Sequence, residues 1–492
     1  MKTAIRSSIQ DALENARESG ELELSPFPDI VVEKPKDEKM GDFSTSIAMS
    51  LAKSERKSPK VIAEIVARHL ENISNDIGKV EIAGPGFINV RMSREFFLKR
   101  LRNAVHRGND FGQNDVGKGL KIMIEFVSAN PTGPLHVGHG RGAAVGDALS
   151  RILKKSGYDL STEYYVNDVG NQMNFLGRST WLRYKELLGE VIEFPDDHYR
   201  GEYIKDIASE IIGIKGDEFL SKPEEDCIPY FRRFSKDYIL KGIEKDLSAF
   251  RVTFDNWFSE ESLYEDNSVD KAIDWLKSKD HIYEKDGAVW LKSSAFSDDK
   301  DRVIVKKTGE KTYFCSDIAY HQNKINRGFK KLVNLMGADH HGYVPRMEAV
   351  LEAMGYDKKI FKILLIQFVS LLRAGEKVSM STRSGEFETL ADLVAEVGVD
   401  TARYYFLMRS SDTHLDFDLE LAKKETAENP VFYIQYAHAR ICSIFRTAEE
   451  GGVVWNRSAE VDLSPLVDEE EYAIIRAILA FPEVVEKSAR AM

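Results

Sequence analysis

Between residues 121 and 168 the chain reads as strand, glycine-rich turn, helix, strand, and that order leaves few folds open. KIMIEFVS (121–128) is a short apolar run of the kind buried in a parallel sheet. NPTGPLHVGHGRG follows as a loop, RGAAVGDALSRILKKSG as a helix stopped by Gly157, and STEYYVND (161–168) as a second strand. Such a unit is βαβ, which places the chain in the α/β class. In the turn, Gly138, Gly142 and Gly146 recur every four residues and share one helix face. A helical Gly costs up to ~1 kcal/mol against Ala, so three on one face call for close approach of the helix to sheet or ligand. A helix N-terminus at the carboxyl end of a parallel strand offers free N–H groups and a positive dipole end to an anion. His136 and His139 add donors aimed at phosphate oxygens, which matter where negative charge grows in a transition state.

Three other readings of the turn stand beside this one. Gly138-x-Gly140-x-x-Ala143 fits a dinucleotide fingerprint, with Glu163 about 20 residues on to take a ribose, and so an NAD-dependent oxidoreductase. His136 and His139 could bind a metal with His340 and His341, although no His-Glu-x-x-His pattern occurs. Or the imidazoles are structural only.

Around this unit the chain divides by pattern. Residues 1–24 read as a helix, 30–34 and 87–92 as strands and 59–71 as a helix, forming an α+β unit that ends near 110. GNDFGQNDVGKG (108–119) reads as a linker. From 186 to 300 the pattern is helical and charged, with strands such as AVWLK (288–292). TYFCSDIAY (312–320), LVNLMGADH (332–340) and KILLIQFVSLL (362–372) then read as the other half of the parallel sheet, split by that insertion. After 388 the chain is almost entirely helical. Asn429-Pro430 starts a helix, Asn as N-cap and Pro first, and FYIQYAHARICSIF continues it as an aromatic amphipathic segment expected to pack in a core. The final EVVEKSARAM reads as mid-helix, so the chain is expected to stop short of a domain end.

Composition excludes several classes. With 68 basic and 80 acidic residues the net charge is −12, so any nucleic-acid contact must be local. Arg91 to Arg107 carries six Arg or Lys against Glu95, although a solvated helix face explains that stretch as well. No apolar run reaches the ~18 residues of a membrane span, and the N-terminus lacks a signal-peptide core. Cys227, Cys315 and Cys442 lie far apart with no Cys-x-x-Cys, which speaks against structural zinc or a disulfide framework and for a reducing cytoplasm.

PLHVGH (134–139) resembles the His-Ile-Gly-His signature of class I aminoacyl-tRNA synthetases, and IEFVSANPTGPLHVGHGRGAAVGDAL with YYVNDVGNQM (164–173) resembles the arginyl-tRNA synthetases in particular. KPKDEKMGDFSTSIAM (34–49) and VEIAGPGFINV (80–90) resemble that family's added N-terminal domain. MGADHHGYVPRM (336–347) resembles its second nucleotide-binding half, and ENPVFYIQYAHARICSI (428–444) its anticodon-binding helices. The resemblance implies a class I synthetase nucleotide-binding fold whose halves are 111–185 and 301–375. It adds an N-terminal α+β tRNA-contact domain (1–110), a connective insertion (186–300), a signature-loop and stem-contact region (376–410) and an all-α bundle (411–492).

It implies ATP-dependent attachment of arginine to tRNA through arginyl-adenylate, with tRNA needed for activation, by a cytoplasmic monomer. Mg²⁺ would arrive with ATP and no protein-bound metal is expected. His136 and His139 would act on phosphates. Gly138, Gly337, Asp339, His340, Met380 and Ser381 would hold ATP. Glu125, Ser128, Asn130, His139, Tyr313 and Asp317 would hold arginine, whose five fixed N–H donors match carboxylates. One departure stands out. The family's Lys-Met-Ser-Lys-Ser signature is here Ser379-Met-Ser-Thr382-Arg383, and Gly133 occupies the region before the first histidine where some members carry a substitute lysine. Arg383 or Lys377 is left to supply the charge, and a tRNA-binding paralogue with little ligase activity is a second reading.

Overall fold

The computed structural model describes residues 1–35, 37–378, 388–453 and 461–492. It resolves into two compact units, Met1–Val116 with Asn456–Met492, and Gly117–Trp455.

In the first unit, β1 (Val32–Glu33), β2 (Phe43–Thr45), β3 (Ile77–Ala83) and β4 (Phe87–Met92) form an antiparallel sheet in the order β1-β2-β4-β3. Ser58 caps the helix Pro59–Glu71, accepting from the Val61 N–H, with Pro at its first position. Ile5, Ile9 and Leu13 of the helix Lys2–Glu18 meet Ile62, Val66 and Leu70 in the core. Tyr472, Ile475 and Leu479 of the helix Glu469–Ala491 join the same core, and the Arg476 guanidinium reaches Asp42 at 2.9 Å.

The second unit is built on β5 (Lys121–Glu125), β6 (Asp159–Val166) and β7 (Asn256–Ser259). After a small antiparallel sheet of β8 (Ile282–Lys285), β9 (Ala288–Leu291) and β10 (Arg302–Val305), the chain returns with β11 (Lys331–Gly337) and β12 (Phe361–Ile366). The central sheet is wholly parallel, in the order β12-β11-β5-β6-β7. Its winding direction reverses between β5 and β11, so the loops leaving their carboxyl ends diverge and open a crevice, where ligands bind in such sheets. A third sheet holds β13 (Val369–Arg373), β14 (Glu376–Lys377) and β15 (Leu415–Asp418).

Three local expectations need correction. TYFCSDIAY is no strand: Tyr313–Asn326 is a helix, with Cys315, Ile318, Ala319 and Tyr320 buried at helical spacing. KILLIQFVSLL is two strands in two sheets, because the chain leaves the central sheet after Ile366. The helix Pro430–Glu450 starts as read, Asn429 accepting from the Val431 N–H, but among the described residues only its Val431 is buried. Tyr433, Ile434, Tyr436 and Ile444 are exposed, since no described element packs over that face.

Candidate active site

The histidine-bearing end begins at the turn leaving β5. The Ser128 N–H donates to the Phe126 carbonyl at 3.0 Å, closing a three-residue turn around Val127 at φ 67°, and Ser128 follows at φ 41°. Positive φ at a β-branched residue costs about 1–3 kcal/mol and survives only where neighbours fix it. Here Ser128 Oγ donates to Glu125 Oε1 at 3.3 Å and accepts from the Tyr165 N–H at 3.1 Å, while the Tyr164 hydroxyl donates to the Ala129 carbonyl. Asn130 donates to Gln172 Oε1 at 2.9 Å.

The helix Val137–Lys155 then opens on a cap made of two imidazoles. His136 Nδ1 accepts from the Gly138 N–H at 3.1 Å, and His139 Nδ1 accepts from the His136 N–H at 3.2 Å. The rings stack with centroids 3.6 Å apart. Burial pushes His139 down to about 3 and lowers His136 as well. Both rings are therefore neutral near pH 7 with Nδ1 spent as acceptor, which leaves the proton on Nε2 as a donor. That tautomer offers a hydrogen bond to an oxygen and no lone pair to a metal.

The glycines divide as their neighbours dictate. A Cβ at Gly138 would press on the His136 ring and one at Gly146 would overlap the Phe126 ring, whereas Gly142 faces open space. Two contacts not apparent from the sequence hold this helix in place. Fully buried Arg141 donates to the carbonyls of Gln367, Ser410 and Thr413 at 2.8–2.9 Å. The Leu390 N–H donates to the Leu135 carbonyl at 2.8 Å, and Thr389 bridges to His136.

Across the crevice, Gly337 ends β11, and Asp339 and His340 lie exposed in the 3-10 turn Ala338–Tyr343. The Asp339 carboxylate folds back over Gly337, where a Cβ would stand 2.5 Å from its oxygen. Lys377 is exposed on β14. Met380, Ser381 and Arg383 lie outside the described residues.

A second cluster is acidic. Tyr313 opens its helix and lays its hydroxyl beside Gly170, and Asp317 follows one turn later. Asp317 touches the Tyr343 hydroxyl and lies in the field of Glu260 and Glu125; burial first, then those acids, push it up to about 7. Glu260, only 1% exposed, meets the Ser316 and Tyr165 hydroxyls, yet its Oε2 is buried with no hydrogen-bond partner among the described residues. Burial raises this carboxyl too. Burying carboxyls that act on one another is unfavourable unless a cation offsets them. Sequence reading passed over Glu260, which sits in a run of exposed-looking charges and reaches the site only because β7 pairs with β6 and the Glu260 N–H donates to Val166.

Glu125 and Glu163, register partners on β5 and β6, are both already paired. Lys324 meets Glu125 Oε2 at 2.5 Å; Glu163 takes Arg327, Tyr320 and Asn256 at 2.6–2.7 Å. Glu163 is fully buried with those three partners, so it is not available to a dinucleotide ribose and the oxidoreductase reading fails.

Comparison with known proteins gives the family. A model of the class I (R) tRNA synthetase catalytic domain matches residues 100–441, an arginyl-tRNA synthetase N-terminal domain matches 3–92, and a DALR anticodon-binding domain matches 434–492. The chain is 49% identical to the arginine–tRNA ligase of Syntrophotalea carbinolica over 99% of its own length and 88% of that protein's. It is 48% identical to that of Bacillus subtilis over 99% and 87%. The solved arginyl-tRNA synthetase of Thermus thermophilus, at 20% identity, shares the fold with a TM-score of 0.70 over the whole of this chain and 88% of its own.

Proposed function

The chain belongs to the class I arginyl-tRNA synthetases, which attach arginine to tRNA using ATP, and from that premise we propose how its residues divide the work. No helix among the described residues is long and apolar enough to cross a membrane, and we place the enzyme in the cytoplasm, acting as a monomer with tRNA bound before activation.

Arginine's carboxylate attacks the α-phosphate of ATP, pyrophosphate leaves, and a terminal ribose hydroxyl of tRNA then takes the arginyl group from the adenylate. The Nε2–H groups of His136 and His139 donate to phosphate oxygens as charge builds, with the cap fixing both rings beforehand. Gly138 lets the nucleotide lie against backbone, and Gly337, Asp339 and His340 take ribose and adenine from the β11 side, Asp339 accepting from ribose hydroxyls. Met380 and Ser381 belong to the same nucleotide grip. Because the imidazoles present donors only, Mg²⁺ would be held by the nucleotide's phosphates and would neutralise charge there. Arg383 or Lys377 supplies the cation that the family's signature lysine carries elsewhere.

The guanidinium enters between Asp317 and Glu260, with Tyr313 and Tyr343 as hydroxyl partners. Ser128, Asn130 and Glu125 Oε1, which holds only the long bond from Ser128, serve the amino-acid end beside His139. The observation that carries this reading is Glu260, buried with its Oε2 lacking a hydrogen-bond partner among the described residues, acting on Asp317 one turn beyond Tyr313. Charging a tRNA pool with each of the twenty amino acids in turn tests it: arginine alone is expected to be transferred, and transfer of any other in its place overturns it.

A further inference from the structure

Lys324 is fully buried, two helical turns beyond Asp317 on the same face of the helix Tyr313–Asn326. Its ammonium lies 2.5 Å from Glu125 Oε2, 3.3 Å from Asn334 Oδ1 and 4.0 Å from the centre of the Tyr320 ring. Asn334, the register partner of Glu125 on β11, donates to the same Oε2 at 3.1 Å. One carboxylate oxygen is thus fully committed. The other, Oε1, has a single long bond from Ser128 Oγ, on the strained turn at Val127–Ser128. A buried lysine forms this bond only if the helix of Tyr313 and Asp317 stands at a fixed distance from the end of β5.

We propose that Lys324 is a positioning residue for arginine. It holds Glu125 turned so that Oε1 and Ser128 face the α-amino end of the substrate, and it locks the guanidinium helix to that end. The imidazole cap does not depend on it, being fixed by its own Nδ1 bonds and by Leu390. Lys324 therefore acts on arginine and not on ATP. This rests on the amino-acid site assigned above, so its test carries a separate control for that assignment.

The test is tRNA-dependent ATP–pyrophosphate exchange with arginine and ATP varied in turn, together with thermal melting, on Lys324→Met, Glu125→Gln/Lys324→Met and Asp317→Asn. Lys324→Met strands a buried carboxylate and is expected to melt lower and to raise the arginine KM about 100-fold. The double variant removes the stranded charge. It is expected to regain the melting temperature yet keep an arginine KM about 30-fold high, with the ATP KM within about threefold of the parent. A double variant that regains both stability and arginine KM, or that loses arginine and ATP together, overturns the proposal. Asp317→Asn separates the two claims. If it leaves the arginine KM unchanged, the site assignment itself is wrong; if it raises that KM while the double variant behaves as the parent, the roles of Glu125 and Lys324 fail and the guanidinium site stands.

Discussion

At the nucleotide end of the crevice, His136 and His139 are neutral and each Nδ1 is matched to a backbone N–H. At the acidic end, burial raises both Asp317 and Glu260, Glu260 raises Asp317 further, and Glu260 Oε2 has no hydrogen-bond partner among the described residues. The first region is finished before substrate arrives: its donors are aimed and its lone pairs spent. On the proposed reading the second is completed by the substrate, whose guanidinium offsets the desolvation that the fold imposes. Preorganisation thus takes opposite forms, satisfied polarity where charge will develop and unsatisfied charge where charge will bind.

Asp317→Asn cuts deepest into this contrast. Without the carboxylate, kcat/KM for arginine in pyrophosphate exchange is expected to fall about a thousandfold, while ATP binding stays near the parent value. The same variant is expected to be more stable at pH 8. A carboxyl raised to about 7 holds its proton more tightly folded than unfolded, so it subtracts stability as pH climbs from its ordinary range toward 7, and asparagine removes that loss. A variant that is inactive and melts lower would mean that Asp317 is a structural acid.

His139→Ala tests the finished end and should hurt in the opposite way. Losing one aimed donor is expected to lower kcat about 100-fold with little change in arginine KM, and losing the cap to lower stability by about 1 kcal/mol. Rapid-quench measurement of adenylate formation and a thermal melt check the two halves. Equal losses in kcat and in arginine affinity would erase the distinction between the regions.

The two ends were unequally legible in the sequence, for a physical reason. A helix cap is local chemistry: His136, Gly138 and His139 lie within four residues, and their spacing already implied an anion site at a helix start. The acid pocket is assembled across the fold. Asp317 and Tyr313 entered through the family resemblance, and Glu260 follows the edge strand of the sheet, 57 residues before Asp317, where nothing in its neighbourhood marks it as buried. Lys324 falls on the stripe of Tyr313, Asp317 and Tyr320, so helical spacing could have turned it inward had the segment not been read as a strand. The aromatic helix after Pro430 erred the other way. Its period was read correctly, but periodicity gives a face and not the element that covers it.

Acidity offers a smaller, graded probe of the unfinished end. The arginine KM is expected to fall about fivefold as pH rises from 6 to 7, by about another twofold to pH 8, and to level above that, because the guanidinium binds the ionised form of Asp317, which burial and Glu260 raise to about 7. His139, held at about 3, adds nothing to that profile, so the ATP KM should stay flat across it. Glu260→Gln should shift the midpoint downward, since Glu260 is one of the acids that raises Asp317. A midpoint that stays put would remove Glu260 from the pocket.

The smallest expected effect lies on the glycine face of the finished end. Gly146 cannot accept a Cβ against Phe126, but Gly142 has nothing within 4 Å, so the helix alone gains from Gly142→Ala, by about 0.5–1 kcal/mol. If nucleotide binding uses only the first turn of the helix and the β11 side of the crevice, that variant melts a few degrees higher and forms adenylate within about twofold of the parent rate. A stabilised protein with a raised ATP KM would instead extend the nucleotide's footprint one turn along the helix. The open space at Gly142 would then be part of the site, left empty by the fold for the same reason that the acids are left unpaired.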